Sequence, residues 1–204
     1  MNPADDALDA LVRARGLACR RAGRDVFSDL SLAVDRGGAL LLRGPNGSGK
    51  SSLLRTLAGL LEPAAGESHV APAADGSPGL HYVGHGDPAK PTLSVEENLA
   101  FAAALGGGGG DVEAGLRAFA LVRLADTPAR YLSSGQRRRL SLARLVVSHK
   151  AVWLLDEPGV GLDKTNRDRL QAAIADHRRK GGAVIAATHG DVAIADAAVL
   201  DFGR

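Results

Sequence analysis

Gly44-Pro45-Asn46-Gly47-Ser48-Gly49-Lys50-Ser51 sets three glycines, a lysine and a hydroxyl in the pattern G-x-x-x-x-G-K-[ST]. The apolar run Ala39-Leu40-Leu41-Leu42 precedes it, and a helical pattern of Leu53, Leu54, Leu57 and Leu60 follows. That is the strand–loop–helix setting a phosphate-binding loop requires. Glycines let the backbone curl until successive N–H groups converge on an anion, and the helix behind them adds the positive end of its dipole. Lys50 is placed to reach the β- and γ-phosphates and the Ser51 hydroxyl to ligate Mg²⁺, with Ser52 in the same nucleotide-binding group. A second constellation lies far down the chain, where Val152-Trp153-Leu154-Leu155 closes on Asp156-Glu157. Two carboxylates at the end of a buried strand suit nucleotide hydrolysis if that strand lies beside the phosphate loop. Asp156 would hold Mg²⁺ through a water, and Glu157 would take a proton from the attacking water.

The composition bounds what surrounds this chemistry. At 204 residues, 45% hydrophobic and 24% charged, the chain suits one globular domain with a full core. A net charge of +2 is too small for the electrostatic footprint of a nucleic-acid binder. One cysteine, Cys19, leaves no internal disulfide and fits a reducing compartment. The segment MNPADDALDALVRAR lacks the apolar core of a signal peptide. No apolar run approaches the roughly 18 residues needed to span a bilayer, so any work at a membrane requires a separate anchor.

The elements that must position these groups can be placed from pattern. Residues 1–15 read as an extension, with a short amphipathic helix on Leu8, Leu11 and Val12. Gly16–Arg20 and Leu30–Val34 read as short strands, and Asp35-Arg36-Gly37-Gly38 as a turn. The phosphate loop's helix ends near Gly59, and residues 62–79 form a loop with a short strand around Ser68–Val70. Leu80–Val83 reads as a buried strand running into the loop Gly84-His85-Gly86-Asp87-Pro88. Ser94 is an N-cap, with Glu96 and Glu97 in the first turn of a helix through Leu105. Gly106–Gly110 reads as a flexible linker to a helix over Asp111–Leu121. A helix runs from Leu132-Ser133-Ser134-Gly135-Gln136 to about Ser148. The strand Ala151–Leu155 carries Trp153 into the core. A polar helix (Lys164–Lys180), a strand (Ala183–Ala187), a short helix and a strand near Ala198–Asp201 complete the chain. Strands alternating with helices predict a parallel sheet covered on both faces.

Residues 132–136, LSSGQ, resemble the LSGGQ signature of ATP-binding cassette (ABC) ATPases. GPNGSGKS, LSSGQ, LLDEP and a later Thr188-His189, in that order, cover nearly the whole chain. The resemblance implies an α/β P-loop NTPase: a RecA-like core, an antiparallel β subdomain ahead of the phosphate loop's helix, and a helical signature subdomain over about 88–146, all within 16–204. It also implies that ATP and Mg²⁺ are sandwiched in a head-to-tail homodimer. Ser133, the Gly135 N–H and the adjoining Gln136 would then meet the γ-phosphate bound by the other copy. Asp163, in Gly161-Leu162-Asp163, matches the D-loop at that interface, and His189 matches the switch histidine that contacts the γ-phosphate and orients Glu157. The Arg137-Arg138-Arg139 run reads as a solvated face with one phosphate-facing member.

Departures from the family pattern narrow the reading. A glutamine usually follows the strand where Tyr82-Val83-Gly84 leads to His85, whose imidazole could bond a metal-bound water. Pairing His85 with His81 in a haem or metal site competes with the buried-strand pattern around His81. Arg21 stands eleven residues before Leu32, where many relatives stack an aromatic on adenine; a guanidinium can also stack on a base. The Cys-Arg-Arg start, YVGH with the following DPAKPTLSVEENL, and LSSGQRRRLSLARL are similar to the CcmA family. These are the ATP-binding subunits of cytochrome c maturation systems, also called haem exporter ATPases. That resemblance implies integral partners of the CcmB, CcmC and CcmD type, docked near His85–Pro91. It further implies peripheral attachment to the cytoplasmic face of a bacterial inner membrane, and ATP use in haem export or in haem release on a chaperone. No C-x-x-C-H occurs, so covalent haem on this chain is not expected, nor is nucleic acid. An ABC subunit serving another substrate, a soluble ABC ATPase acting on DNA or ribosomes, and a nucleotide sensor without turnover stand as alternatives.

Overall fold

The computed structural model describes residues 10–73, 76–77, 79–86, 88–148 and 150–202. Two long strands, β1 (Ala10–Arg21) and β2 (Arg24–Asp35), pair antiparallel around Ala22-Gly23. Both turn residues have positive φ, 48° and 77°, which gives a two-residue turn whose twist matches its strands. Along its other edge β1 takes β4 (Ala65–Val70), also antiparallel, giving a three-stranded sheet in the order β2-β1-β4. This sheet corrects two expectations. Residues 10–15 belong to β1 rather than to an extension or an amphipathic helix, because Val12 pairs with Val34 on one side and Val70 on the other; Leu8 lies outside the described residues. The antiparallel unit also does not wholly precede the phosphate loop's helix, since β4 returns to it afterwards.

The second sheet has five strands, all parallel, in the order β5 (Leu80–Val83), β6 (Val152–Asp156), β7 (Ala183–Ala187), β3 (Ala39–Arg43) and β8 (Ala198–Asp201). Strand β6 shows why its run is continuously apolar: Val152 and Leu154 enter one core, Trp153 and Leu155 the other. Burial on both faces is the condition of a parallel strand covered by helices. One core is closed by α1 (Lys50–Leu57) and the antiparallel sheet. The other is closed by α2 (Val95–Leu105), α3 (Val112–Ala118), α4 (Ser134–Val147) and α5 (Lys164–Arg179). Ser94 caps α2 in a capping box, accepting from the Glu97 N–H at 3.1 Å while Glu97 accepts from the Ser94 N–H at 2.7 Å. The short helix expected after β7 does not form. The Thr188 hydroxyl instead donates to Asp191 and accepts from the Gly190 N–H, local bonds that compete with a helical ladder.

Two half-buried histidines carry a stability consequence. Burial, with Arg144 and Lys150 nearby, pushes His81 down to about 4, its Nδ1 lying 2.5 Å from Ser148 Oγ. Burial likewise pushes His177 down to about 4, stacked on Trp153 at 3.9 Å and 7°. The unfolded chain binds protons at these rings near 6.5 and the folded chain only near 4. Stability is therefore full above pH 6.5 and declines as pH falls toward 4, by on the order of 2–3 kcal/mol per ring. Urea midpoints at pH 7 and 4.5 measure this, and His177→Phe, which keeps a ring on Trp153, should reduce the difference. An identical acid loss in that variant would contradict the assignment.

Candidate nucleotide site

The loop leaves β3 through three glycines with positive φ: Gly44 at 137°, Gly47 at 79° and Gly49 at 111°. At Gly49 the geometry admits no other residue, because a Cβ would stand 2.6 Å from Val26 Cγ1. Lys50 is buried, and its ammonium donates to the carbonyls of Gly44 (2.7 Å) and Pro45 (2.8 Å), spanning the loop from within. The Ser48 hydroxyl is buried without a partner among the described residues. Gly49 gives α1 no side-chain cap, which leaves that helix's first N–H groups to an anion. An unpaired hydroxyl, uncapped amides and a lysine in one loop fit a phosphate chain.

Asp156 ends β6, fully buried. Ser51 Oγ donates to its Oδ1 at 2.9 Å and the Tyr82 hydroxyl to its Oδ2 at 3.4 Å. A hydroxyl and a carboxylate side by side are the hard oxygen ligands that Mg²⁺ takes, so the residues present fit that ion. The carboxylate's strand ends beside the phosphate loop, although β7 lies between it and β3 in the sheet; α1 leans across β7 to bring Ser51 to Asp156. Tyr82 was not legible as a site residue, and its only signal was its place on a strand adjacent to β6.

Glu157 follows in the left-handed region, φ 48°, an uncommon conformation for a residue with a Cβ that costs on the order of 1–3 kcal/mol. Its N–H donates to the Ala187 carbonyl at 3.0 Å, which ties the turn to the end of β7. From there His189 Nε2 comes within 3.3 Å of Glu157 Oε1. A cavity of about 590 Å³ brings Glu157 together with Arg21, His85, Val26 and the loop through Lys50, Ser51 and Ser52. Arg21 and His85, neither a usual residue at its position, therefore share the space a nucleotide would fill.

Ser133, Gly135 and Gln136 do not line that cavity. Ser133 caps α4, accepting from the Gln136 N–H at 3.3 Å, and Gln136 Oε1 accepts from the Ser133 N–H at 2.7 Å. The Gln136 side chain thus completes a capping box. Gly135 leaves the helix start open, the nearest atom to a Cβ there being the Gly161 carbonyl at 3.7 Å. Asp163 caps α5 through the Asn166 N–H at 2.8 Å. The start of α4, with Gly161 beside it, therefore lies apart from the cavity that holds the phosphate loop and Glu157.

The three arginines after the signature are not a solvated face. Arg137 donates to the Leu132 carbonyl and Arg139 to those of Phe119 and Ala120. Arg138 is buried and donates to the carbonyls of Gly84, Glu157 and Pro158. A triple-arginine run signals solvent by default, and only the fold reveals the carbonyls it serves.

The family model described as ABC transporter matches residues 27–160. A protein of Paramagnetospirillum magneticum named cytochrome c biogenesis ATP-binding export protein CcmA is 46% identical over 202 residues, covering 90% of each chain. A protein of the same name from Rhodospirillum rubrum is 49% identical over 94% of this chain and 85% of its own. Among solved structures, an ATP-binding subunit of an ABC transporter superposes with a TM-score of 0.79 at 26% identity, over 88% of this chain and 80% of the other. A putative ABC transporter ATP-binding protein from Pyrococcus furiosus reaches a TM-score of 0.76 at 22% identity, over 94% and 96%, a likeness of fold.

Proposed function

The chain belongs to the ABC transporter family and within it to the CcmA group, and from that premise we propose that it is the ATP-hydrolysing subunit of a membrane complex in cytochrome c biogenesis. The observation that supports hydrolysis, beyond binding, is Glu157 facing the nucleotide cavity with His189 at 3.3 Å. A sensor without turnover has no use for such a pair. In this reading the loop N–H groups, the Ser48 hydroxyl and Lys50 hold the phosphates. Glu157 accepts the proton of the attacking water, and His189 orients that carboxylate and meets the γ-phosphate. Ser51 and Asp156 hold Mg²⁺, which when bound neutralises charge on the β- and γ-phosphate oxygens. Arg21 stacks on the base, and His85 faces the phosphate end of the cavity.

Two copies complete each other's sites, with Ser133 and Gly135 of one meeting the γ-phosphate held by the other and Asp163 at the seam. Closure on ATP and opening after hydrolysis give a mechanical stroke. Among the described residues no helix is long and apolar enough to cross a membrane. The stroke passes to separate integral subunits of the CcmB, CcmC and CcmD type. The docking segment is His85–Pro91, and the location is the cytoplasmic face of a bacterial inner membrane. The work performed is haem handling, as export or as release on a haem chaperone.

In a bacterium whose own CcmA-type gene is deleted, wild-type chain should restore covalent haem staining of c-type cytochromes. The Lys50→Ala allele should not, with b-type cytochromes intact in both. Full staining with the Lys50→Ala allele would remove the haem role.

A further inference from the structure

We propose that Arg138 is a positioning residue that ties the signature helix to the turn carrying Glu157, so that nucleotide met by the signature in one site sets the general base of the chain's own site. This rests on the head-to-tail reading above. Arg138 is 6% exposed. Its Nη2 donates to the Glu157 carbonyl at 2.8 Å, its Nη1 to the Gly84 carbonyl at 2.8 Å, and its Nε lies 3.4 Å from the Pro158 carbonyl. Those carbonyls belong to two different segments of the parallel core, whereas Arg138 stands one turn into α4, behind Ser133 and Gly135. Arg137 and Arg139 bond only within the helical layer, at Leu132, Phe119 and Ala120. Of the three, Arg138 is the one that crosses.

Geometry explains why an arginine suits this place. A guanidinium is a rigid planar fork whose N–H directions are fixed relative to one another, so bonding two carbonyls with one fork fixes their spacing. One of these carbonyls belongs to Glu157, whose φ of 48° needs support from its surroundings. The other belongs to Gly84, immediately before His85, which shares the nucleotide cavity. A shift of α4 when its N-terminus engages a phosphate therefore moves both Glu157 and the His85 loop. A displacement of about 1 Å at a reacting group can cost about 10²-fold in rate. Neither lysine nor glutamine can replace the fork, because each carries a single nitrogen.

The test uses the full-length chain with three variants. In Arg138→Met, affinity for a fluorescent ATP analogue at the phosphate loop should stay within about twofold of wild type. Its kcat should fall about 10²-fold, and the Hill coefficient for ATP should drop toward 1. Arg138→Lys, which keeps the charge and loses the fork, should fall with it. Guanidinium ion added to Arg138→Ala should restore turnover, a rescue that a merely structural loss would not show. Wild-type kcat and cooperativity in Arg138→Met would overturn the proposal, as would loss of nucleotide binding together with turnover and no guanidinium rescue. A Lys50→Ala control separates the two levels: if it hydrolyses ATP at the wild-type rate, the site assignment itself fails, whatever Arg138 does.

Discussion

Glu157→Gln should bind ATP as wild type does and hydrolyse it about 10²- to 10⁴-fold more slowly, the range a positioned general base contributes. The substitution keeps the volume of the side chain and its place on the strained turn, and removes the ability to take a proton. The hydrogen bond from the Glu157 N–H to Ala187 and that from Arg138 to its carbonyl involve only backbone atoms of this residue, so the turn should persist. With hydrolysis stopped, the ATP-bound pair should accumulate and run as a dimer in light scattering when ATP is present. Turnover near the wild-type rate would assign the proton transfer elsewhere.

Lys50→Ala acts on binding itself. The ammonium is buried and spans the loop through Gly44 and Pro45, so its loss removes both a brace and the charge that meets the β- and γ-phosphates. Charge-assisted hydrogen bonds in a water-poor site are about twice as strong as neutral ones. Nucleotide affinity should fall by roughly 10²-fold or more, with turnover lost at ordinary ATP concentrations. Equilibrium titration with a fluorescent ATP analogue measures this, and unchanged affinity would show that another group holds the phosphates.

What was legible in the sequence is what depends on neighbours along the chain. GPNGSGKS is a single turn between a strand and a helix, and its glycines are dictated by local φ and by the closeness of Val26 to Gly49. Asp156-Glu157 is legible because a buried strand must end before carboxylates can face a cavity. The Ser94 cap is likewise local, closed within three residues.

Features that depend on remote partners were misread. β1 begins at Ala10 because Val34 and Val70 flank Val12, and Leu11-Val12 by itself also suits a helix. The expected strand at Ser68–Val70 extends back to Ala65 in β4, a stretch without apolar periodicity, because β1 offers it an edge. Strand order cannot be read from spacing, and only the fold shows β7 between β6 and β3. Arg138 is the furthest case: its partners lie 54, 19 and 20 residues away, and its neighbours on both sides are arginines with lesser duties.

The central claim is that each ATP site is built from two copies of the chain, and a mixing experiment tests it most directly. Lys50→Ala disables the phosphate loop and Gly135→Asp places a negative charge at the signature, so each variant should be silent alone. In an equimolar mixture, half of the dimers pair one of each, and every such pair holds one intact loop facing one intact signature. Hydrolysis should return above that of either variant, with roughly a quarter of the wild-type rate as its ceiling. Half the pairs hold one working site, and the Arg138 link to the disabled site slows it further. A mixture as inactive as its two components would show that each chain carries a complete site of its own, and would contradict the account.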